Sequence, residues 1–206
     1  MCQQHRPCAR WSDERERARS TRHGLVAAGT GLVEGLAPAT PTGAGHLPGG
    51  TAPGCCCRGQ RAPLQVGTPP QQLKELGLGA IHWVADRSDE TLLKGQSSSS
   101  LVLHWHGDRI HLPADATLLG SSLHCAEQVF RIGAHAIGLQ CHLEIDGDAL
   151  DCWIANDHDY VVSALGAEGP GRLSRDWRML GTTLQEQGRN FFNAVLDQLI
   201  EISEAH

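Results

Sequence analysis

Gly138-Leu139-Gln140-Cys141-His142-Leu143-Glu144 is the stretch on which the reading of this chain turns. The run Ala136–His142 predicts a strand leading into it, and an acidic turn, Asp146-Gly147-Asp148, follows. On an extended backbone alternate side chains share a face, so His142 and Glu144 point one way while Cys141 and Leu143 point the other. A carboxylate beside an imidazole fixes its tautomer and stabilises the imidazolium, as a base serving a nucleophile requires. Taken alone, a histidine and an acid at a strand end are more often a surface pair. The surrounding sequence decides between the two readings.

Upstream stand His104-Trp105-His106-Gly107-Asp108, followed by Leu112-Pro113, and then Leu118-Leu119-Gly120-Ser121-Ser122 and Gln128-Val129-Phe130-Arg131. Earlier still is Lys74-Glu75-Leu76-Gly77. In this order the blocks resemble those of class I glutamine amidotransferases, in particular the stand-alone members similar to the amidotransferase domain of guanylate synthetase. The stretch ending at Glu144 resembles that family's G-x-Q-F-H-P-E signature, and the resemblance covers Leu73 to Leu199. Cys141 stands where the signature has phenylalanine, and Leu143 where it has proline.

The resemblance implies a three-layer α/β fold with a mostly parallel, flavodoxin-like central sheet. It also implies a reaction: a cysteine thiolate attacks the side-chain amide of glutamine, forms a thioester and releases ammonia. His142 matches the proton shuttle of that reaction and Glu144 its orienting partner. His106, Gly107, Asp108 and Gln140 are expected to line the substrate pocket. Glutamine is the implied substrate and an ammonia-accepting synthetase the implied partner, with no cofactor.

The nucleophile is the missing part. The family carries it on an elbow reading roughly G-I-C-L-G-A-Q-L-L, upstream of the K-E-I-G block, and no such motif stands here. In its place the chain reads His46-Leu47-Pro48-Gly49-Gly50-Thr51-Ala52-Pro53-Gly54-Cys55-Cys56-Cys57-Arg58-Gly59-Gln60. One permitted coding strand for that string, read in another frame, spells G-I-C-L-G-A-Q-L-L-A-A-A-A-G-A. Residues 1–72 also differ in texture from the rest: eight arginines, no lysine and four acids give +4, against −10 for residues 73–206. Eight of the ten prolines lie there, and there is no Ile, Phe, Tyr or Asn. That composition cannot offset the entropy of ordering a core, so residues 1–72 are expected to be disordered, out-of-frame-like sequence. Residues 73–206 are expected to form the C-terminal part of the domain, with its opening strands and elbow missing.

Within residues 73–206, Ala80–Val84, Leu101–Trp105 and Ala116–Ser121 read as further strands, and Ala149–Asn156 as a short helix. Trp177–Ser203 reads as one long helix or a broken pair, its stripe made of Leu180, Leu184, Phe191, Phe192, Val195, Leu196, Leu199 and Ile200. The net charge of −6 gives no basic footprint for nucleic acid. Apolar runs fall short of a membrane span and the N-terminus lacks a secretory core, so a cytoplasmic protein is expected.

Two alternatives accompany the enzymatic reading. One is a non-catalytic remnant that binds glutamine or a partner. The other is a metal-binding protein using histidines and cysteines. Adjacent Cys55, Cys56 and Cys57 lack the spacing zinc ligands need, and His104, His106 and His111 lack a third ligand at a clear spacing, so no metal site is expected.

Overall fold

The computed structural model describes residues 26–28, 60–86, 90–133 and 136–204. Ten strands and three helices run in this order: β1 Val26–Ala28, β2 Gln60–Pro63, β3 Gln65–Val66, β4 Gln71–Gln72, β5 Glu75–Trp83, β6 Ser99–His106, β7 Asp108–His111, β8 Ala116–Ser121, β9 Val129–Ile132, β10 Ala136–Leu139, α1 Gly147–Asn156, α2 His158–Leu165 and α3 Gly169–Glu204. A 3₁₀ turn, Thr91–Leu93, lies between β5 and β6. The main sheet has the order β1-β10-β9-β8-β5-β6.

The α/β class is as expected, but the sheet within the described residues is not mostly parallel. Only β1 and β10 pair in parallel; the other neighbours are antiparallel. Chain length explains this. The links joining β8, β9 and β10 are far shorter than the dozen or more residues a parallel crossover needs. The elbow and the rest of residues 1–59 fall outside the described residues, apart from β1. Strand structure reaches back past the change in composition at Leu73, because β2 pairs with β7 from Gln60↔His111 to Pro63↔Asp108, and β3 with β4.

β5 and β6 form the framework of the site. Their register sets Leu76 against Trp105, Leu78 against Leu103 and Ala80 against Leu101 on one face. That face packs on Leu150 of α1, Val161 of α2, and Leu173 and Leu184 of α3. The opposite face carries Ile81, Trp83 and Val102, continues through Leu119, Val129, Ile137 and Leu139, and meets Phe191 and Val195 of α3. A helix of 36 residues spans about 54 Å, which lets α3 contribute to both clusters.

The buried stripe of α3 differs from the expected one. Leu173, Gly181, Leu184, Gly188, Phe191 and Val195 recur at intervals of three, four or eight and are buried, whereas Leu180, Leu196 and Ile200 are exposed. Reading only large apolar residues misses two buried positions held by glycine, one beneath Trp177 of the same helix and one against the backbone before α1. A Cβ on Gly181 would press into the Trp177 ring, and one on Gly188 into the Leu143 carbonyl. Among the described residues no helix is long and apolar enough to cross a membrane.

Candidate active site

β10 ends at Leu139, and the chain then crosses toward β6. Gln140 N–H donates to the Gln128 carbonyl (2.8 Å), and His142 exchanges two backbone hydrogen bonds with Leu103 (2.8 and 3.0 Å). This bridge pins the histidine backbone to β6, the last strand in the order of the main sheet. Glu144 then turns back: its Oε1 accepts from His142 Nδ1 at 2.8 Å, and its Oε2 accepts from the Leu143 N–H at 3.0 Å. A carboxylate only accepts here, so Nδ1 carries the proton and Nε2 is left for other chemistry. Asp146 closes the segment as the N-cap of α1, its side chain accepting from Ala149 N–H at 2.8 Å. The acidic turn that follows the motif is therefore a helix start that fixes where Glu144 can lie.

His142 is nearly fully buried, with the Trp153 ring 4.7 Å away and edge-on, while a quarter of the Glu144 side chain is exposed. Trp153 of α1 lies against the imidazole, an arrangement that strand periodicity cannot reveal. A cavity of about 340 Å³ opens beside Glu144, lined by Leu143, Asp146, Gln185, Arg189, Phe192 and Asn193 among others.

His106, Gly107, Asp108 and Gln140 do not line that cavity. Asp108 pairs with Arg61 at 2.6 Å, and Gly107 sits at the β6–β7 turn, its carbonyl accepting from Leu64 N–H. His106 belongs to a second, buried cluster. Its Nε2 lies 3.2 Å from Glu75 Oε2 and 3.1 Å from Gln128 Nε2, and the same amide donates to Glu75 at 2.8 Å. Ser122 Oγ donates to the Glu75 carboxylate at 2.8 and 2.9 Å. Burial pushes the Glu75 carboxyl up, but the His106 hydrogen bond, the His104 charge and the Ser122 hydroxyl outweigh it and hold the group below its usual value. His104 stands between the two clusters. Burial lowers its pKa to about 4 despite the attraction of Glu75, and His106 and His142 press it the same way.

Sequence reasoning missed Glu75, Ser122, Cys125 and Gln128 as one cluster. Glu75, Ser122 and Gln128 lie within blocks whose family resemblance was visible, but only strand register brings them together.

The described free cysteines are poor nucleophiles. Cys141 is fully buried in the core on the far face from His142, as alternation along the strand requires. Burial raises the Cys125 thiol to about 12 and pushes Cys141 up as well. Neither holds a thiolate population at neutral pH.

Gly188 is the close-packing point behind the motif. Gly188→Ala should cost about 1–3 kcal/mol, because the added methyl meets a backbone carbonyl that cannot rotate away. Chemical denaturation checks the loss; an unchanged midpoint would contradict this packing.

No family model matches the chain. Over 102 residues, half of its length, it is 29% identical to a glutamine amidotransferase-like protein of Salmonella typhimurium, YfeJ. A glutamine amidotransferase from Thermotoga maritima superimposes with a TM-score of 0.54 at 22% identity, over 66% of this chain and 55% of that one. One from Methylobacillus flagellatus gives 0.54 at 18% identity, over 68% and 56%. The chain spans 38% of the curated relative and little more than half of either solved structure.

Proposed function

Starting from a fold shared with glutamine amidotransferases, we propose that His142 and Glu144 are the proton-transfer half of a glutamine-hydrolysing site, in a chain that lacks the nucleophilic half. The observation that carries this is the 2.8 Å bond from His142 Nδ1 to Glu144 Oε1, in a segment that resembles the family's closing signature. In the complete reaction a thiolate sulfur adds to the glutamine Cδ carbonyl. His142 Nε2 gives a proton to the departing nitrogen, so the C–N bond breaks as ammonia and a thioester remains. Water, deprotonated by the same imidazole, then attacks the thioester; glutamate leaves and the thiol is restored. Glu144 holds the ring in one tautomer and balances its charge when protonated.

The chain as written should hydrolyse glutamine with a turnover below about 0.1 per second, a low value against the usual range for enzymes. Glutamate release from purified protein measures this. A higher rate would reveal a nucleophile elsewhere, which serine substitutions at Cys55, Cys56, Cys57, Cys125 and Cys141, made singly, would locate. The out-of-frame origin of the N-terminal segment belongs to the same proposal, its test being the encoding DNA. Bases that cannot spell the elbow in either alternative frame end it. Strand pairing back to Gln60 supports an in-frame region beginning before Leu73. With the elbow restored, the ammonia would pass to a synthetase partner in the cytoplasm.

A further inference from the structure

The Glu75–His106 cluster has no part in the proton chemistry assigned to His142, and its composition differs from that of an ordinary buried ion pair. Glu75 opens β5, His106 closes β6, and the two are direct cross-strand partners. Cys125 arrives from the β8–β9 loop, held by a tight turn in which Cys125 N–H donates to Ser122 Oγ and Ser122 N–H to the Cys125 carbonyl, both at 3.0 Å. A carboxylate oxygen, an imidazole nitrogen and a thiol sulfur thereby lie within 4.8 Å of one another, all buried. We propose that Glu75, His106 and Cys125 bind one divalent transition-metal ion of the zinc class, a site separate from the pair His142–Glu144.

Two features of the cluster point to a ligand. The first is orientation. His106 Nδ1 lies 2.9 Å from the Asp108 carbonyl oxygen, which can only accept, so Nδ1 bears hydrogen and Nε2 faces Glu75. Backbone carbonyls fix metal-binding histidines in this way. The second is charge. The ion-pair partners of Glu75 among the described residues are two histidines, with no lysine or arginine in reach. A divalent cation would balance the carboxylate and a thiolate together.

Beside these ligands, His104 Nδ1 lies 3.9 Å from Glu75 Oε2 and its ring engages the side chain of Gln128, whose Nε2 also touches Glu75 and His106. A bound ion would displace the Gln128 N–H₂ group from between its two contacts and let the amide turn its oxygen inward. His104 Nδ1 or a water would complete the coordination.

The donor set selects the metal. A carboxylate, an imidazole and a thiolate suit zinc or cobalt, whereas calcium and magnesium prefer oxygen alone. Tetrahedral zinc, with bonds of about 2.0–2.3 Å, spaces its ligands roughly 3.3–3.7 Å apart. The 3.2 Å between His106 and Glu75 is close to that spacing, and the cysteine has at most about 1.5 Å to close. On binding, the Cys125 thiol releases its proton to solvent and the sulfur lone pair forms the new bond.

The test uses the full chain, stripped by chelator and titrated with Co²⁺, with Zn²⁺ as competitor. One equivalent of Co²⁺ should give a thiolate-to-cobalt charge-transfer band that Zn²⁺ abolishes. Cys125→Ser should remove the band, and Glu75→Gln should weaken binding about 10- to 100-fold. A variant with Cys2, Cys8, Cys55, Cys56 and Cys57 all replaced by serine should keep it. X-ray absorption on the zinc-loaded parent covers the case in which Cys125→Ser fails to fold, and should find one sulfur among nitrogen and oxygen neighbours. The proposal is overturned by no band, by a band that survives Cys125→Ser, by one lost with the N-terminal cysteines, or by a zinc shell with no sulfur or more than one.

Discussion

In a chain whose G-I-C-L-G-A-Q elbow has been restored, His142→Ala should lower glutamine hydrolysis by about 10⁴- to 10⁶-fold, the range seen when one member of a nucleophile–base unit is removed. The imidazole must take and return protons in both halves of the reaction, and no other histidine contacts Glu144 in the described hydrogen bonds. Glu144→Gln should act more mildly, at about 10²- to 10⁴-fold. The amide can still accept from Nδ1–H, but it no longer balances the imidazolium. Circular dichroism and thermal midpoints accompany the assay, since His142 is also buried against Trp153. If the alanine variant is folded and retains activity within tenfold of its parent, the imidazole is not the shuttle.

The second large effect lies in the packing behind that motif. Phe191→Ala should cost about 3–5 kcal/mol, a third or more of the stability of a typical domain. Phe191 is buried and stacks on Trp83, ring centres 5.5 Å apart and nearly parallel, with Phe192 edge-on at 5.6 Å. It joins the cluster that holds Cys141 and Leu143, the two residues flanking His142. Its loss should therefore lower the midpoint of unfolding and loosen the segment from Cys141 to Glu144 together. Urea unfolding measures the first; a change below about 1 kcal/mol would show that α3 does not anchor the sheet there.

Much of the site was legible because it is local. His142 and Glu144 are two residues apart, so a local bend at Leu143 and Glu144 is enough to bring imidazole and carboxylate together. β8 was expected at Ala116–Ser121 and lies there. Other features depend on distant sequence. The Glu75, His106, Cys125 and Gln128 cluster needs the register of β5 on β6 and the course of the β8–β9 loop, neither of which periodicity supplies. α2 was missed because its Val161-Val162 pair favours extended structure, and it is the packing of Val161 against Leu173 and Leu184 that holds it helical. The α3 stripe was misassigned for the opposite reason. Gly181 and Gly188 carry no hydrophobic signal, yet both are buried, Gly188 against the Leu143 carbonyl and Gly181 beneath Trp177 of the same helix. His106, Gly107 and Asp108 were expected from the resemblance to line the substrate pocket; the side chains of His106 and Asp108 engage Glu75 and Arg61.

The central proposal is that His142 and Glu144 are the proton-transfer half of a glutamine-hydrolysing site whose cysteine elbow this sequence does not spell. Its most direct test is glutamate release from the elbow-restored chain beside the chain as written, both purified and shown to be folded. The account predicts a gain of at least about 10⁴-fold, abolished when the restored cysteine is changed to serine. A restored chain that folds, yet releases glutamate no faster than the chain as written, would contradict it.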